Sequence, residues 1–193
     1  MKKLTLLVAI IAFTFASCSQ QKEQESLPQS SAESNAQDTD TQQSAPQQNV
    51  GIEVGNAAPN FTMNNTEGKP VSLSQFKGKT VVIDFWATWC PPCRRSIPYV
   101  KESYEKFKNN NVEFIGISLD KQDGLDGWKE YIKENQMNWV QVADGKFWDN
   151  DVAVRYGIES IPSMWVINRD GIIIGKNIAH DELDATITKA IQQ

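Results

Sequence analysis

Metal ligands are scarce in this chain. In 193 residues it has three cysteines, Cys18, Cys90 and Cys93, and one histidine, His180. Structural zinc takes four Cys or His ligands, and iron–sulfur clusters generally want four thiolates. Neither set can be assembled if Cys18, at the end of an export signal, has another use. Covalent haem attachment needs a histidine directly after a Cys-x-x-Cys pair, and position 94 is Arg94. Positive charge is also short, with Lys+Arg 19 against Asp+Glu 24 and a net charge of −5. The densest basic pair is Arg94-Arg95. That balance argues against nucleic acid as a partner. No apolar run reaches the ~20 residues of a membrane-spanning helix.

The chain does carry an export pattern. Lys2 and Lys3 precede an apolar run from Leu4 to Phe15, broken only by Thr5 and Thr14; this reads as a secretory signal. The run ends in Phe15-Ala16-Ser17-Cys18, which resembles the lipobox of bacterial lipoproteins. That resemblance implies a diacylglycerol anchor on Cys18, which becomes the first mature residue. A plain secreted protein and an uncleaved apolar anchor are the alternatives. Loss of residues 1–17 leaves 17 basic residues against 24 acidic ones, a charge of −7. From Ser19 to Asn49 the sequence has one Leu and no aromatic residue. Such a stretch cannot bury enough apolar surface to offset its ordering entropy, so a disordered tether is expected, with a reach of about 30 Å. The expected organisation is a signal over 1–17, an anchored linker over 18–50 and one domain over 51–193. The localisation this implies is the bacterial cell envelope, where thiol–disulfide exchange has substrates.

Within the domain, Phe61-Thr62-Met63 and Val71-Ser72-Leu73 flank a polar turn and predict a β-hairpin. Thr80 to Trp86 reads as a buried strand. Ile97, Val100, Tyr104 and Phe107 fall at helical spacing after Cys93, and Pro98 predicts a kink there. Val112 to Ser118 is the next strand, then a helix marked by Leu125, Trp128 and Ile132, and a strand around Trp139 to Val142. A short helix over Asp149 to Tyr156 closes at Gly157. Met164 to Ile167 and Ile172 to Ile178 form a hairpin around Asp170-Gly171. The last helix runs from about Asp181 to Ile191. Alternating strands and helices followed by a hairpin imply an α/β fold with a mixed central sheet and helices on both faces.

Cys90 and Cys93 stand where the buried strand gives way to a helix. A structural staple is the bland reading, but a loop this short removes little chain entropy, and a disulfide at a helix start is expected to be accessible. A redox centre is the alternative with more chemistry behind it. At a helix N-terminus, unpaired N–H groups and the helix dipole favour a thiolate at Cys90. Cys93, one turn in, is expected to be more buried and to resolve the mixed disulfide. Pro91 and Pro92 lack N–H donors and so alter how many hydrogen bonds each sulfur accepts, and with them the reduction potential.

The segment Val82-Ile83-Asp84-Phe85-Trp86-Ala87-Thr88-Trp89-Cys90-Pro91-Pro92-Cys93-Arg94 resembles the active-site segment of the thioredoxin superfamily. More narrowly, it resembles the membrane-tethered TlpA/ResA-like branch. Asn56 to Thr62 is similar to that branch's N-terminal hairpin, which is related to AhpC/TSA proteins, and the helical insert around Leu125 to Asn135 suits it. The resemblance implies a thioredoxin-like three-layer fold. It also implies a protein-disulfide oxidoreductase with no cofactor beyond its redox-active disulfide. Its partners would be disulfide-bonded clients, cytochrome c maturation clients among them, and a membrane electron donor of the DsbD/CcdA type. By the same resemblance Ile161-Pro162 is a cis-proline dipeptide facing the cysteines and binding substrate, together with Trp89. The same resemblance implies that Asp84 is a buried acid that takes the proton of Cys93; an edge or strand-end carboxylate facing water is the alternative. Many members of the branch instead carry Glu three positions after the second cysteine, where this chain has Ser96.

Trp86 and Trp89 bracket the motif and are expected to shield the disulfide, with a mainly packing role as the alternative for Trp86. Trp128, Trp139, Trp148 and Trp165 read as core. Two other classes stay open. A thiol peroxidase would need Pro and Thr at the positions of Ile83 and Ala87, so its motif is absent. A non-catalytic client-binding module would keep the disulfide as a staple.

Overall fold

The computed structural model describes residues 49–193. The export signal, Cys18 and the tether up to residue 48 lie outside the described residues. Two short strands, β1 (Thr62–Asn64) and β2 (Pro70–Ser72), pair antiparallel as the expected hairpin, displaced by one residue at each edge. Asn65 closes the turn, its side-chain oxygen accepting from the N–H groups of Glu67 and Lys69.

The sheet is built around β3 (Thr80–Trp86), buried at all seven positions. An almost uninterrupted apolar strand is what a position covered on both faces requires. β4 (Val112–Ser118) and β5 (Val140–Ala143) extend it in parallel; β6 (Ser163–Ile167) and β7 (Ile173–Ile178) extend it antiparallel on the other side. The order is β5-β4-β3-β6-β7, the mixed sheet expected from the alternation of elements. The β6–β7 turn forms because Asn168 Oδ1 accepts from the N–H groups of Asp170 and Ile172 while Gly171 adopts a φ of 83°, a left-handed conformation that glycine reaches without steric cost.

Among the described residues four α-helices cover the sheet: α1 (Pro91–Phe107), α2 (Leu125–Glu134), α3 (Asp151–Arg155) and α4 (Leu183–Ile191). Side chains alternate along β3, so Val82, Asp84 and Trp86 share one face and Ile83 and Phe85 the other. α1 lies on the Asp84 face. Its Tyr104 meets Phe114, which registers beside Val82, with ring centroids 5.6 Å apart. α2 lies on the same face, with Tyr131 against Trp86. α3 covers the opposite face, where Tyr156 packs on Phe85, Trp165 and Phe61 and donates to the Pro59 carbonyl at 2.8 Å, while the hairpin meets the β5 edge through an Asn65–Val142 bridge.

The helix predicted over Asp149 to Tyr156 begins later, because Asn150 Oδ1 accepts from the N–H groups of Val152 and Ala153 and so caps α3 at that point. Pro98 lies inside α1, which continues for nine residues beyond it to Phe107. Its missing N–H removes one bond, to the Arg94 carbonyl, in a helix whose buried stripe of Cys93, Ile97, Val100 and Phe107 holds it to the sheet.

Candidate active site

The end of β3 delivers the chain to Ala87, Thr88 and Trp89, and this loop is tied to the end of β4. Asp120, only 2% exposed, accepts from the Thr88 N–H at 3.1 Å, from the Thr88 hydroxyl and from the Ser118 hydroxyl at 2.7 Å. Leu119 N–H donates to the Trp86 carbonyl and Trp89 Nε1 donates to the Leu119 carbonyl at 3.1 Å. A buried carboxylate is tolerated when hydrogen bonds replace its water. Here those bonds lock the residues that precede Cys90. Asp120 was missed by sequence reasoning; its signal was a lone acid just past a buried strand.

Cys90 is the N-cap of α1, and its Sγ accepts from the Cys93 N–H at 3.2 Å. With Pro91 and Pro92 in the first two helical positions, that N–H is the one backbone donor the first three helical residues offer. Cys90 and Cys93 are joined in a disulfide, with Cα atoms 5.3 Å apart. The Ile161–Pro162 bond is cis, and the Ile161 carbonyl oxygen stands 3.7 Å from Cys90 Sγ. A reduced Cys90 thiol would have its acceptor there. So the structure brings Cys90, Cys93, Ile161 and Pro162 together, as the resemblance implied, with Trp89 beside them at 43% exposure.

The disulfide is not open to solvent, contrary to the expectation for a helix start. Cys90 is 3% exposed and Cys93 fully buried. The cis-proline loop packs against Cys90, and the first turn of α1 folds Cys93 beneath it. The order of burial is the expected one, but the difference between the two sulfurs is small. Arg94 and Arg95 both point to solvent.

Asp84 sits on the sheet face that α1 covers, two residues before the end of β3. It is 3% exposed, and its Oδ1 has no hydrogen-bond partner among the described residues. Burial pushes its carboxyl up to about 7, with no other cause. Desolvation disfavours the charged form, so this acid is poised to exchange a proton near neutrality. Trp86 is not at the rim. It is 1% exposed, lies against Tyr131 and donates to Gln141 Oε1 at 3.1 Å.

Trp148 also departs from expectation. Trp128, Trp139 and Trp165 are core residues, but Trp148 is only partly buried, with its ring centroid 6.2 Å from that of Trp89. Phe147 stands 5.1 Å from Trp89, in a left-handed conformation with φ 58°, under the Lys121 ammonium at 4.9 Å. A rim of Trp89, Phe147 and Trp148 therefore flanks the sulfurs. Helical periodicity could not separate Trp148 from core tryptophans, because it lies in a tight turn, Phe147–Asp149.

Residues 54–176 match the AhpC/TSA family. The chain belongs to that family. Within it the chain is a TlpA/ResA-like member of the thioredoxin superfamily, as its relatives indicate. It is 35% identical over 123 residues to the thiol-disulfide oxidoreductase ResA of Bacillus thuringiensis subsp. konkukian, covering 64% of this chain and 68% of that protein. Among solved structures, the thioredoxin domain of a thiol-disulfide oxidoreductase from Bacteroides vulgatus superposes with a TM-score of 0.66 at 34% identity. That match covers 72% of this chain and 99% of the other. A thiol:disulfide interchange protein DsbE from Chlorobium tepidum gives 0.65 at 25% identity, covering 72% and 99%. The family match spans the hairpin, β3, the cysteines and the cis-proline, so the likeness covers the site as well as the scaffold.

Proposed function

We propose that the Cys90–Cys93 pair reduces disulfides of client proteins outside the cytoplasm. The observation that carries the reading is the disulfide at the N-cap of α1, with Cys90 Sγ against the carbonyl of a cis-proline dipeptide and a protonatable acid buried on the covered sheet face. In the reduced enzyme the Cys90 thiolate attacks one sulfur of a client disulfide. A Cys90–client bond forms, the client S–S bond breaks, and the first client thiolate leaves. The Cys93 thiol then gives its proton to Asp84, and its sulfur attacks Cys90 Sγ. The Cys90–Cys93 disulfide forms, the second client thiolate leaves, and both client thiolates take up protons. Two electrons have passed to the client. The backbone edge next to Pro162 aligns the client segment during the exchange, and Trp89 covers it.

A membrane dithiol donor of the DsbD/CcdA type restores the reduced pair, and the anchor on Cys18 keeps the domain within reach of that donor in the bacterial envelope. The client range extends to apocytochromes with oxidised haem-site cysteines. The decisive experiment uses Cys93→Ser. It is expected to accumulate mixed disulfides with client proteins through Cys90, while the Cys90→Ser variant accumulates none. Equal trapping by both, or by neither, would overturn the assignment of roles. Full activity of a double Cys→Ser variant in the cell would point instead to a non-catalytic binding module.

A further inference from the structure

One polar side chain on the Asp84 face has no role in the reading above. Gln141 is 3% exposed, on β5. Asp84, Gly116 and Gln141 register side by side across β3, β4 and β5, so all three face the same side of the sheet. Asp84 and Gln141 are thus two strand spacings apart, about 10 Å. The residue between them has no side chain. A Cβ on Gly116 would fall inside contact distance of Gln141 Oε1, 2.8 Å from its Cδ and 2.9 Å from its Nε2. The Gln141 amide therefore lies over Gly116, one strand spacing from Asp84.

The orientation of that amide is set by chemistry. An indole N–H only donates, and Trp86 Nε1 donates to Gln141 at 3.1 Å, so the oxygen must face Trp86. The Nε2 donors are left over. Gln141 Nε2 and Asp84 Oδ1 are both fully buried with no hydrogen-bond partner among the described residues. One is a donor and the other an acceptor, in the same row and on the same face. An orphaned buried donor or acceptor is costly, and a single buried water satisfies such groups when two or more converge on it. Two hydrogen bonds of ordinary length span about one strand spacing.

We propose that Gln141 is a positioning residue for Asp84, its Nε2 donating to one buried water that donates in turn to Asp84 Oδ1 above Gly116. The inference rests on Asp84 serving as the proton acceptor. The water favours the carboxylate, so Gln141 sets the pH at which Asp84 can take the proton of Cys93, and Gly116 is glycine because the amide needs its space. Few other groups compete for this control. Gly116 and Met164 beside Asp84 are neutral, and so are Leu183 and Ile187 on the buried side of α4. From α1 come Cys93, Ser96 and Ile97, of which Cys93 alone titrates once reduced. α2 presents Tyr131 to the neighbouring Trp86. No ionised group contributes to the shift at Asp84.

The test follows the carbon-13 signal of the Asp84 carboxyl against pH in the reduced protein, with Asp84→Asn for assignment, alongside the rate of mixed-disulfide resolution. Gln141→Met fills the space without a donor; Gly116→Ala keeps Gln141 but displaces its amide. Each is expected to raise the Asp84 midpoint by about one pH unit. Resolution at the wild-type midpoint should then slow about fivefold, because the ionised fraction falls from a half to about a tenth. An unchanged midpoint in whichever variant folds overturns the proposal. The two readings fail separately. Asp84→Asn resolving as fast as wild type at every pH would remove Asp84 as proton acceptor, while the Asp84 midpoint in Gln141→Met would still report on the water link.

Discussion

Asp84→Asn should make the oxidised protein more stable at pH 8 while slowing its chemistry. The carboxyl is raised from 3.8 to about 7 by burial alone. In the unfolded chain it titrates near 3.9. Between those values the folded state holds a proton that the unfolded state has released, so stability falls as pH rises through this window. The protonated acid contributes fully below about pH 4, and the loss is complete above about pH 8. Three pH units at 1.36 kcal/mol each give about 4 kcal/mol. Asparagine has nearly the same shape and no charge, so it should match wild type at pH 3.5 and exceed it by about 4 kcal/mol at pH 8. For a domain of this size that corresponds to roughly 10 °C in Tm. Urea titrations of both proteins, oxidised, at pH 3.5, 6 and 8 would measure the difference. A gap that does not widen with pH, or a less stable variant at pH 8, would refute the argument. It would mean that Asp84 is solvated or paired in solution. The same substitution should slow resolution of the mixed disulfide most at neutral pH, because Asn cannot accept the proton of Cys93.

Removing the clasp at Asp120 tests the loop. Asp120→Ala leaves the Thr88 N–H and the Ser118 hydroxyl without their acceptor and should cost about 2–3 kcal/mol in denaturant titrations. Trp89→Ala should lower kcat/KM for a protein disulfide about tenfold while leaving the Cys90 pH profile in place, as read by the rate of thiol alkylation. A change confined to the alkylation profile would contradict a client-binding role. Phe147→Gly should relieve the left-handed backbone at φ 58° yet remove the ring that supports Trp89. Tryptophan fluorescence should redshift even if the melting temperature holds. Cys18→Ser should move the protein from the membrane pellet to the soluble fraction; an unchanged distribution would leave the lipid reading without support.

The parts legible from sequence were those governed by short-range pattern. β3 and β4 have the expected ends because their apolar runs are bounded by turn residues, and Asp170-Gly171 marks its hairpin by backbone chemistry. Cys90, Cys93 and Pro162 were legible through motif. Periodicity says nothing about what a turn does in three dimensions, and so Trp148 was assigned to the core. Burial of the disulfide was missed for a related reason: the covering comes from Ile161, about seventy residues away in sequence. Gln141 had no sequence signal at all. A glutamine in a strand is unremarkable until Gly116 is seen to stand beside it and Asp84 beyond.

The near-complete burial of both sulfurs has a consequence for which disulfides can be reduced. The Trp89 loop is held by Asp120, so the enzyme cannot easily open to meet a partner. The partner's own sulfur must therefore enter the cleft beside Pro162. A disulfide flush with the surface of a rigid protein cannot make that approach, and one in a loose or extended stretch of chain can. Discrimination then depends less on neighbouring residues than on how long a client keeps its bridge projecting. Chains still unfolded would be served and finished ones passed over.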